Sequence, residues 1–536
     1  NSLSATVAAW WAVMTTLGPW SLAEGLAAFA DWRIFLPLGG YLSMFYGAVG
    51  IAATAWLGRQ TSGNHSTGVL AATMIAFTPT FNRYCHEGVP DCLTTTLSIF
   101  AMIFIVAVLR RPTRRNYLLT GLFVGLAIAA KWNAVLLAVV AVVAHVWIWK
   151  QSEQPLRRLI DRNLGVATVA GVAAFCVGSI QTVADPRPFL HSVLVYERDY
   201  KMLAYSSAVS GETFVPFLSH IEVIFAREGW VSLLFPVGII WAFIRRKQWH
   251  LILLLPVLMA FIYIGRWRMV IPRFYLFVYP FAAVLAADCF AETIRAMWRR
   301  RRLSWRVGAS FVAAGMLVCV GHSTWRVAET ASHLTLPNTE ELSREWIESN
   351  IERGAVIAGP STPEGYPNLL PQAQVNEIVL TADIIGADIR PEVREVVSEW
   401  KVYDLRSLKL RGKPLFPQDW PSEVLERYRE SIHARRAAAT YYSLDELRDD
   451  GVEYVVTSEL WSTPFLEYES AAELPGYDPS ALRYDQNRAF FEHLLNIPEG
   501  ETRDGVTLLA AFESREGHVT GGTIKVFRIA ASNNSP

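Results

Sequence analysis

Residues 82–91 pack an arginine, a histidine and two carboxylates into ten residues between two apolar stretches. The segment reads Asn82-Arg83-Tyr84-Cys85-His86-Glu87-Gly88-Val89-Pro90-Asp91. Acids beside a histidine at the mouth of a helix suit general acid–base chemistry, so His86, Glu87 and Asp91 are candidate catalytic residues. Two other interpretations stay open. The segment would also serve as a solvated connector, and Asp91 after Pro90 is well placed to cap the following helix.

Four basic residues form a second candidate group, which is suited to binding an anion. Lys131 interrupts two apolar stretches, and Arg266, Arg268 and Arg273 form a cluster beside a third. A guanidinium matches a phosphate with two parallel hydrogen bonds, whereas an ammonium supplies a point charge. We therefore predict that these residues hold the phosphate of a lipid. The alternatives are that Lys131 extends to the membrane surface and that the arginines anchor the chain to headgroups.

The long segment 184–228 contains three side chains that could ligate a metal ion, His191, His220 and Glu222. Their spacing matches no tight metal-binding motif, so no metal ligand is assigned. No cofactor is firmly implied, and a divalent metal stays an open alternative.

Ten apolar runs provide the elements that must position these residues. Each run is about as long as a helix that crosses a bilayer, and a weaker run covers residues 5–22. The ten runs lie at 34–57, 67–81, 92–109, 117–130, 134–149, 163–183, 229–244, 251–265, 274–293 and 307–323. The sequence therefore predicts a polytopic membrane domain of about 10–11 spans.

Arginine is concentrated in alternate connections between these runs, notably at 110–115, 245–247 and 295–306. The positive-inside rule assigns these connections to the cytoplasm. The connections that carry the candidate residues then lie outside, and so does the region after residue 323. We therefore predict a multi-pass cell membrane protein with an extracytoplasmic C-terminal domain.

The two parts of the chain differ sharply in charge. Residues 1–323 carry 28 basic and 14 acidic residues, whereas residues 324–536 carry 21 basic and 35 acidic residues. This contrast predicts a multi-pass transmembrane domain over 1–323 and a soluble domain over 324–536. It excludes a soluble single-domain enzyme and a disordered chain. Nucleic acid is not an expected partner, because the basic residues lie between apolar runs.

Helices and strands alternate in the soluble part. Strand patterns occur at 355–358, 452–457 and 522–529, and helix patterns occur at 443–447 and 490–495. The alternation predicts a small α/β domain. We expect it to cover the mouth of the site or to bind the acceptor.

Three motifs resemble those of polyprenyl-phosphate-dependent glycosyltransferases of the GT-C class. Residues 80–91 resemble their second outer loop. Gly121-Leu122-Phe123-Val124-Gly125-Leu126-Ala127 followed by Ala130-Lys131-Trp132-Asn133 resembles a stretch of the protein O-mannosyltransferases. Pro272-Arg273-Phe274-Tyr275 with Tyr279-Pro280 is similar to the start of one of their helices. The resemblance covers nearly the whole chain in layout, and it is nearest to protein O-mannosyltransferases and lipid A aminoarabinose transferases.

The resemblance implies a mainly α, polytopic helical domain followed by a small extracytoplasmic α/β domain. It implies inverting transfer of a sugar from a polyprenyl-phosphate carrier to a protein, lipid or glycan acceptor on the extracytoplasmic face. In such an enzyme, Asp91 would act at the catalytic centre, and Lys131 and Arg273 would hold the donor phosphate. Further catalytic acids of this family lie in the first outer loop, which we expect upstream of Asn1. If residues 5–22 are instead a first span, Glu24 and Asp31 become the carboxylates of that loop.

The alternative function is that of a membrane transporter or lipid flippase with an extracytoplasmic domain. A transporter would show an internal repeat of its spans, with helix breaks at matching positions. The second half of the membrane part shows no counterpart of the break at Lys131. The enzyme instead requires Asp91, Lys131 and Arg273 to surround one cavity.

Overall fold

A computed structural model provides the fold of the chain. It describes residues 35–151, 161–187, 189–190, 193, 215–267, 270–300, 303–360, 367–372, 375–376, 395, 397–398, 400–408, 443–459, 462–463, 466, 484–515 and 518–530. Contacts divide the chain into two units, and their described parts are residues 35–331 and the residues from 332 onwards. The predicted weak span at 5–22 lies outside the described residues.

The first unit is built from helices. These are α1 (Phe35–Ser62), α2 (His65–Ala76), α3 (Pro79–His86), α4 (Asp91–Arg110), α5 (Arg114–Ala130), α6 (Leu136–Gln151), α7 (Arg162–Gly178), α8 (Ile180–Ala184), α9 (Leu218–Glu228), α10 (Leu234–Arg245), α11 (Gln248–Ile264), α12 (Tyr279–Arg299) and α13 (Leu303–Leu334). Short 3-10 turns precede α6, α10 and α12, at Trp132–Val135, Gly229–Leu233 and Pro272–Val278.

Six helical segments in the described residues are long and apolar enough to cross a membrane. They are Leu38–Ser62, Asp91–Arg110, Trp132–Gln151, Leu218–Arg245, Pro272–Arg299 and Ser304–Ser332, and the apolar helices α7 and α11 are shorter. Each of the ten predicted apolar runs corresponds to one helix or to two consecutive ones. The prediction of a polytopic helical domain is therefore confirmed.

Helix α12 forms the centre of this unit. In the most apolar 18-residue stretch of Pro272–Arg299, 89% of the residues are buried. The corresponding share in Ser304–Ser332 is 22%. Five of the buried residues of α12 are alanines, so helices α2 and α10 can pack closely against it. Close packing of small residues is a main source of attraction between helices in a bilayer. Helix α12 thus provides a rigid support for the 3-10 turn that precedes it.

The second unit contains a mixed seven-stranded sheet. Its strands are β1 (Val356–Pro360), β2 (Leu370–Pro371), β3 (Val402–Leu408), β4 (Tyr454–Ser458), β5 (Thr502–Arg503), β6 (Val506–Phe512) and β7 (Ile524–Ile529), in the order β2-β3-β1-β4-β7-β6-β5. The first four strands of that order pair in parallel, and the pairs from β4 to β5 are antiparallel.

Helices pack on this sheet through two apolar clusters. Helix α14 (Thr339–Asn350) contributes Ile347 to one cluster, while α15 (Leu444–Asp449) and α16 (Tyr484–Leu495) contribute to the other. The predicted strands correspond to β1, β4 and β7, and the predicted helices correspond to α15 and α16. The prediction of an α/β fold is confirmed, while the predicted boundary at 323/324 falls within α13.

Candidate active site

Asp91, Lys131 and Arg273 meet at one narrow crevice of the helical unit. Six residues line it, and these are Asp91, Thr94, Lys131, Arg273, Phe274 and Phe277. The three charged residues come from distant parts of the sequence, at the start of α4, after the end of α5 and in the turn before α12. The fold therefore gathers the one carboxylate and two cations that the sequence proposed for a shared site.

The carboxylate of Asp91 forms an ion pair with Lys131. The distance from Nζ of Lys131 to Oδ1 of Asp91 is 2.5 Å. The side chain of Asp91 is 5% exposed, and that of Lys131 is 23% exposed. The hydrogen-bond partner of this carboxylate, within the described residues, is Lys131 and not an amide at the start of α4. Lys131 therefore neutralises a buried acid and does not extend to the membrane surface.

Close helix packing explains how Lys131 reaches this position. A Cβ atom on Gly121 would lie 2.0 Å from the carbonyl oxygen of Ala167, and one on Gly125 would lie 2.1 Å from that of Gly171. Two glycines four residues apart let α5 and α7 touch backbone to backbone. Helix α5 then ends, and Lys131 takes an extended conformation with φ −157° and ψ 128°. The fixed end of α5 thus sets the place of the lysine.

Arg273 contributes a second cation that has no ion-pair partner in the described residues. Its guanidinium lies 5.7 Å from the ring centroid of Tyr84 and 5.8 Å from that of Phe274. Its Nε is buried and makes no hydrogen bond to the part of the protein that the structure describes. A buried donor without a partner is unusual in a folded protein. Among the described residues, this nitrogen is therefore a hydrogen-bond donor whose acceptor is missing.

The crevice carries a surplus of positive charge. Among the described residues, Asp91 balances one cation, so Lys131 and Arg273 together leave one positive charge without a carboxylate partner. Burial is the main influence on the pKa of the Lys131 ammonium, and it lowers this pKa. The negative charge of Asp91 raises the pKa, whereas the positive charge of Arg273 lowers it further. An anion in the crevice would favour the charged ammonium, because charges interact strongly where water is scarce. The site is thus electrostatically suited to a phosphate.

Two further predicted catalytic residues lie elsewhere. His86 is exposed, and its Nδ1 is 2.9 Å from the carbonyl oxygen of Asn82. Glu87 accepts a hydrogen bond of 2.9 Å from Nε of Arg83, one helical turn earlier. Neither His86 nor Glu87 is among the described residues that line the crevice. Both have the surroundings of a solvated connector.

Of the remaining predicted cations, Arg266 is exposed and does not line the crevice, and Arg268 lies outside the described residues. Of the three side chains considered as metal ligands, His191 lies outside the described residues. Both ring nitrogens of His220 have partners, with Nε2 2.8 Å from the Trp267 carbonyl oxygen and Nδ1 3.0 Å from the Tyr275 hydroxyl. The described residues contain no group of three or more side chains placed to hold a metal ion.

The sequence reasoning missed one buried acid, Glu228, which is 0% exposed. Its carboxylate accepts hydrogen bonds of 3.0 Å from the backbone amide of Thr80 and from the hydroxyl of Tyr279. The signal was a carboxylate directly before the apolar run 229–244, because ionisable residues at a span are costly unless they have a role.

Comparison with a known family supports the resemblance found in the motifs. Residues 19–179 match the family model described as dolichyl-phosphate-mannose-protein mannosyltransferase. The matched range includes Asp91 and Lys131, and the predicted resemblance is confirmed. No curated protein matches the chain.

The solved structures that are similar to the chain include the following two. ArnT from Cupriavidus metallidurans, bound to undecaprenyl phosphate, is 13% identical, with 100% of this chain and 98% of that chain covered and a TM-score of 0.46. The oligosaccharyltransferase AglB from Archaeoglobus fulgidus, in complex with an inhibitory peptide and a dolichol-phosphate, is 12% identical, with 96% and 72% covered and a TM-score of 0.45.

Proposed function

We propose that the chain is an integral-membrane glycosyltransferase that takes its sugar from a polyprenyl-phosphate carrier. The observation that carries the proposal is the buried Nε of Arg273, which lacks a partner in the described residues, beside the Asp91–Lys131 pair. A phosphate would supply both the missing acceptor and the missing negative charge. The family match over residues 19–179 supports a donor in which the sugar is linked to dolichyl phosphate.

The proposed reaction is a single displacement with inversion. The oxygen of an acceptor hydroxyl attacks the anomeric carbon, the bond to the phosphate oxygen breaks, and the polyprenyl phosphate leaves as an anion. Arg273 and Lys131 stabilise the charge that develops on this phosphate. When the phosphate attracts Lys131, the carboxylate of Asp91 becomes free to accept the proton of the hydroxyl. His86, Glu87 and Arg266 stay predictions from the sequence. They do not line the crevice in which we propose this reaction.

Binding of dolichyl phosphate to the purified full-length protein in detergent tests the phosphate site. We expect Arg273→Ala to weaken binding by about 10- to 100-fold, because it removes charge-assisted hydrogen bonds. Arg245→Ala is a matched control, because it also removes an arginine, one that pairs with Glu292 at 2.6 Å in a different cluster. Equal affinity in the wild type and Arg273→Ala would contradict the proposal, as would equal losses in the two variants.

Release of dolichyl phosphate from dolichyl phosphate mannose tests the transfer itself, with water or a supplied alcohol as acceptor. The proposal expects release by the wild type and little release by Arg273→Ala. If the protein binds the donor but releases no dolichyl phosphate with any acceptor, the result would contradict the proposal of a transferase. It would favour the transporter interpretation.

We further infer that the crevice opens on the extracytoplasmic side. Nη2 of Arg110, at the end of α4, donates a hydrogen bond of 2.9 Å to the carbonyl of Thr61 at the end of α1. Asp91 lies at the other end of α4, roughly 30 Å away for a helix of this length. The arginine-rich ends belong to the cytoplasm by the positive-inside rule.

A reporter that is active only in the cytoplasm tests this orientation. Fusions after Arg115 should be active, whereas fusions after Asp185 or within residues 332–536 should be silent. A cytoplasmic signal from the C-terminal unit would reverse the orientation.

A further inference from the structure

Glu228 is a buried carboxylate in the middle of an apolar span. It is the last residue of α9, and the span Leu218–Arg245 continues beyond it. Its side chain is 0% exposed. An ionisable group at such a place requires partners, and those partners indicate its role.

The two carboxylate oxygens bind two different elements. Oε2 accepts a hydrogen bond of 3.0 Å from the amide of Thr80, at the start of α3, and Oε1 accepts one of 3.0 Å from the hydroxyl of Tyr279, the first residue of α12. Thr78 precedes α3 but makes no side-chain cap, since its hydroxyl donates to the carbonyl of Met74. Glu228 therefore caps α3 from another helix, where a negative charge is favourable.

The backbone around Glu228 is held in place by α13. Helix α9 ends at Gly229, which has a positive φ of 65°. This break frees carbonyl groups inside an apolar span, and side chains of α13 satisfy them. Ser323 donates to the carbonyl of Glu228 at 3.1 Å, and Arg326 donates to that of Ala226 at 2.5 Å. Both the backbone and the carboxylate of Glu228 are thus held in place by hydrogen bonds from other elements.

Both hydrogen-bond partners of Glu228 belong to elements that adjoin Arg273. Tyr84 lies one helical turn after Thr80 on α3, and its ring is 5.7 Å from the guanidinium of Arg273. Tyr279 follows directly after the 3-10 turn that contains Arg273. We propose that Glu228 is a positioning residue, which orients Arg273 for the donor phosphate through α3 and through the start of α12. The inference rests on the proposed function, because it assigns Glu228 a part in phosphate binding.

Binding of dolichyl phosphate to the full-length protein tests the inference, with the melting temperature measured on each variant. We expect Glu228→Ala to weaken binding by roughly 10- to 100-fold, since a misplacement of about 1 Å can cost about 100-fold at a positioned group. Glu228→Gln should keep most of the affinity. Its carbonyl oxygen can accept from Thr80, and its amide can donate to the oxygen of Tyr279.

A double variant separates positioning from simple destabilisation. In an Arg273→Ala background, Glu228→Ala should cause no further loss of binding, because its effect passes through Arg273. It should still lower the melting temperature there. Asp288→Ala is the matched control, because it also removes a fully buried carboxylate, one that is bonded to His250 and Trp241. This control should lower the melting temperature and leave binding unchanged.

Three results would overturn the inference. These are wild-type affinity in Glu228→Ala, an equal loss of affinity in Asp288→Ala, and a further loss in the double variant. If Glu228→Ala does not fold, Tyr279→Phe removes one of the two bonds and keeps the ring. It should weaken binding several-fold, and wild-type affinity in this variant would also overturn the inference. If the wild type itself does not bind dolichyl phosphate, the proposed function fails and the inference fails with it.

Discussion

The described part of the helical unit contains two buried clusters built on an aspartate, and the two differ in their exposure and in their balance of charge. In the first, Asp91 pairs with Lys131, whose side chain is 23% exposed. In the second, Oδ2 of Asp288 is 3.0 Å from Nε2 of His250 and 3.2 Å from Nε1 of Trp241. The side chains of His250 and Asp288 are 0% and 1% exposed, so no ligand can reach them from solvent.

The two clusters also differ in the balance of charge. Near Asp288, Arg245 and Lys247 both pair with Glu292, at 2.6 Å and 2.9 Å. At the crevice, Arg273 has no carboxylate partner in the part of the chain that the structure describes. Burial of a charge therefore does not mark a functional site by itself. A surplus of charge is the more informative property.

The largest expected effect is the loss of transfer in Asp91→Asn. A positioned acid–base group contributes about 10²–10⁴-fold to rate, and the amide cannot accept the proton of the hydroxyl. Release of dolichyl phosphate from dolichyl phosphate mannose measures this loss, with the melting temperature recorded alongside. If Asp91 only caps α4, Asp91→Asn should work at nearly the wild-type rate. Such a rate would remove Asp91 from the catalytic site.

A second large effect is expected on stability in Lys131→Ala. The substitution leaves the carboxylate of Asp91 buried without its partner, which costs about 3 kcal/mol in the free energy of unfolding. Chemical denaturation in detergent measures the change. The double variant Asp91→Asn/Lys131→Met should recover most of the stability and still fail to bind dolichyl phosphate. Recovery of binding would show that the pair has only a structural role.

Asp288→Asn should produce a smaller effect, confined to stability. The amide still accepts one hydrogen bond but interacts less strongly with His250 and Trp241, so we expect a loss of about 1–2 kcal/mol in the free energy of unfolding. Affinity for dolichyl phosphate should stay at the wild-type value. A large loss of affinity would mean that the two clusters are coupled, and the contrast between them would no longer hold.

The smallest effect is expected in Arg266→Ala. This arginine is exposed and does not line the crevice. Because salt screens exposed charges, affinity for dolichyl phosphate should fall by no more than about threefold at physiological ionic strength. Measurements at low and high salt would show whether the residual effect disappears. A loss as large as that of Arg273→Ala would restore Arg266 to the phosphate site.

The sequence predicts the helices and the main charged residues because both follow from local chemistry. Apolar runs of membrane length must become helices, and a charge between such runs must find a partner. Those rules single out Asp91, Lys131 and Arg273. The alternation of strand and helix patterns also predicts the α/β character of the second unit. It does not predict the strand order, because β1 pairs with β3 and β4 across long stretches of chain.

The rest depends on contacts that no local pattern contains. Asp91 and Lys131 are 40 residues apart, and their pairing depends on the packing of α4 against α5. His86 and Glu87 are neighbours of Asp91 in sequence, but they lie at and beyond the end of α3 and do not line the crevice. Glu228 was missed because one of its partners is a backbone amide, which side-chain patterns cannot reveal.

A cryo-electron microscopy structure of the full-length protein with dolichyl phosphate in lipid nanodiscs would test the central claim most directly. The account predicts the phosphate within hydrogen-bonding distance of Nε of Arg273 and Nζ of Lys131. It also predicts a longer separation between Lys131 and Asp91 than the present 2.5 Å. A phosphate bound at Arg266, or an empty crevice with the Asp91–Lys131 pair unchanged, would contradict it.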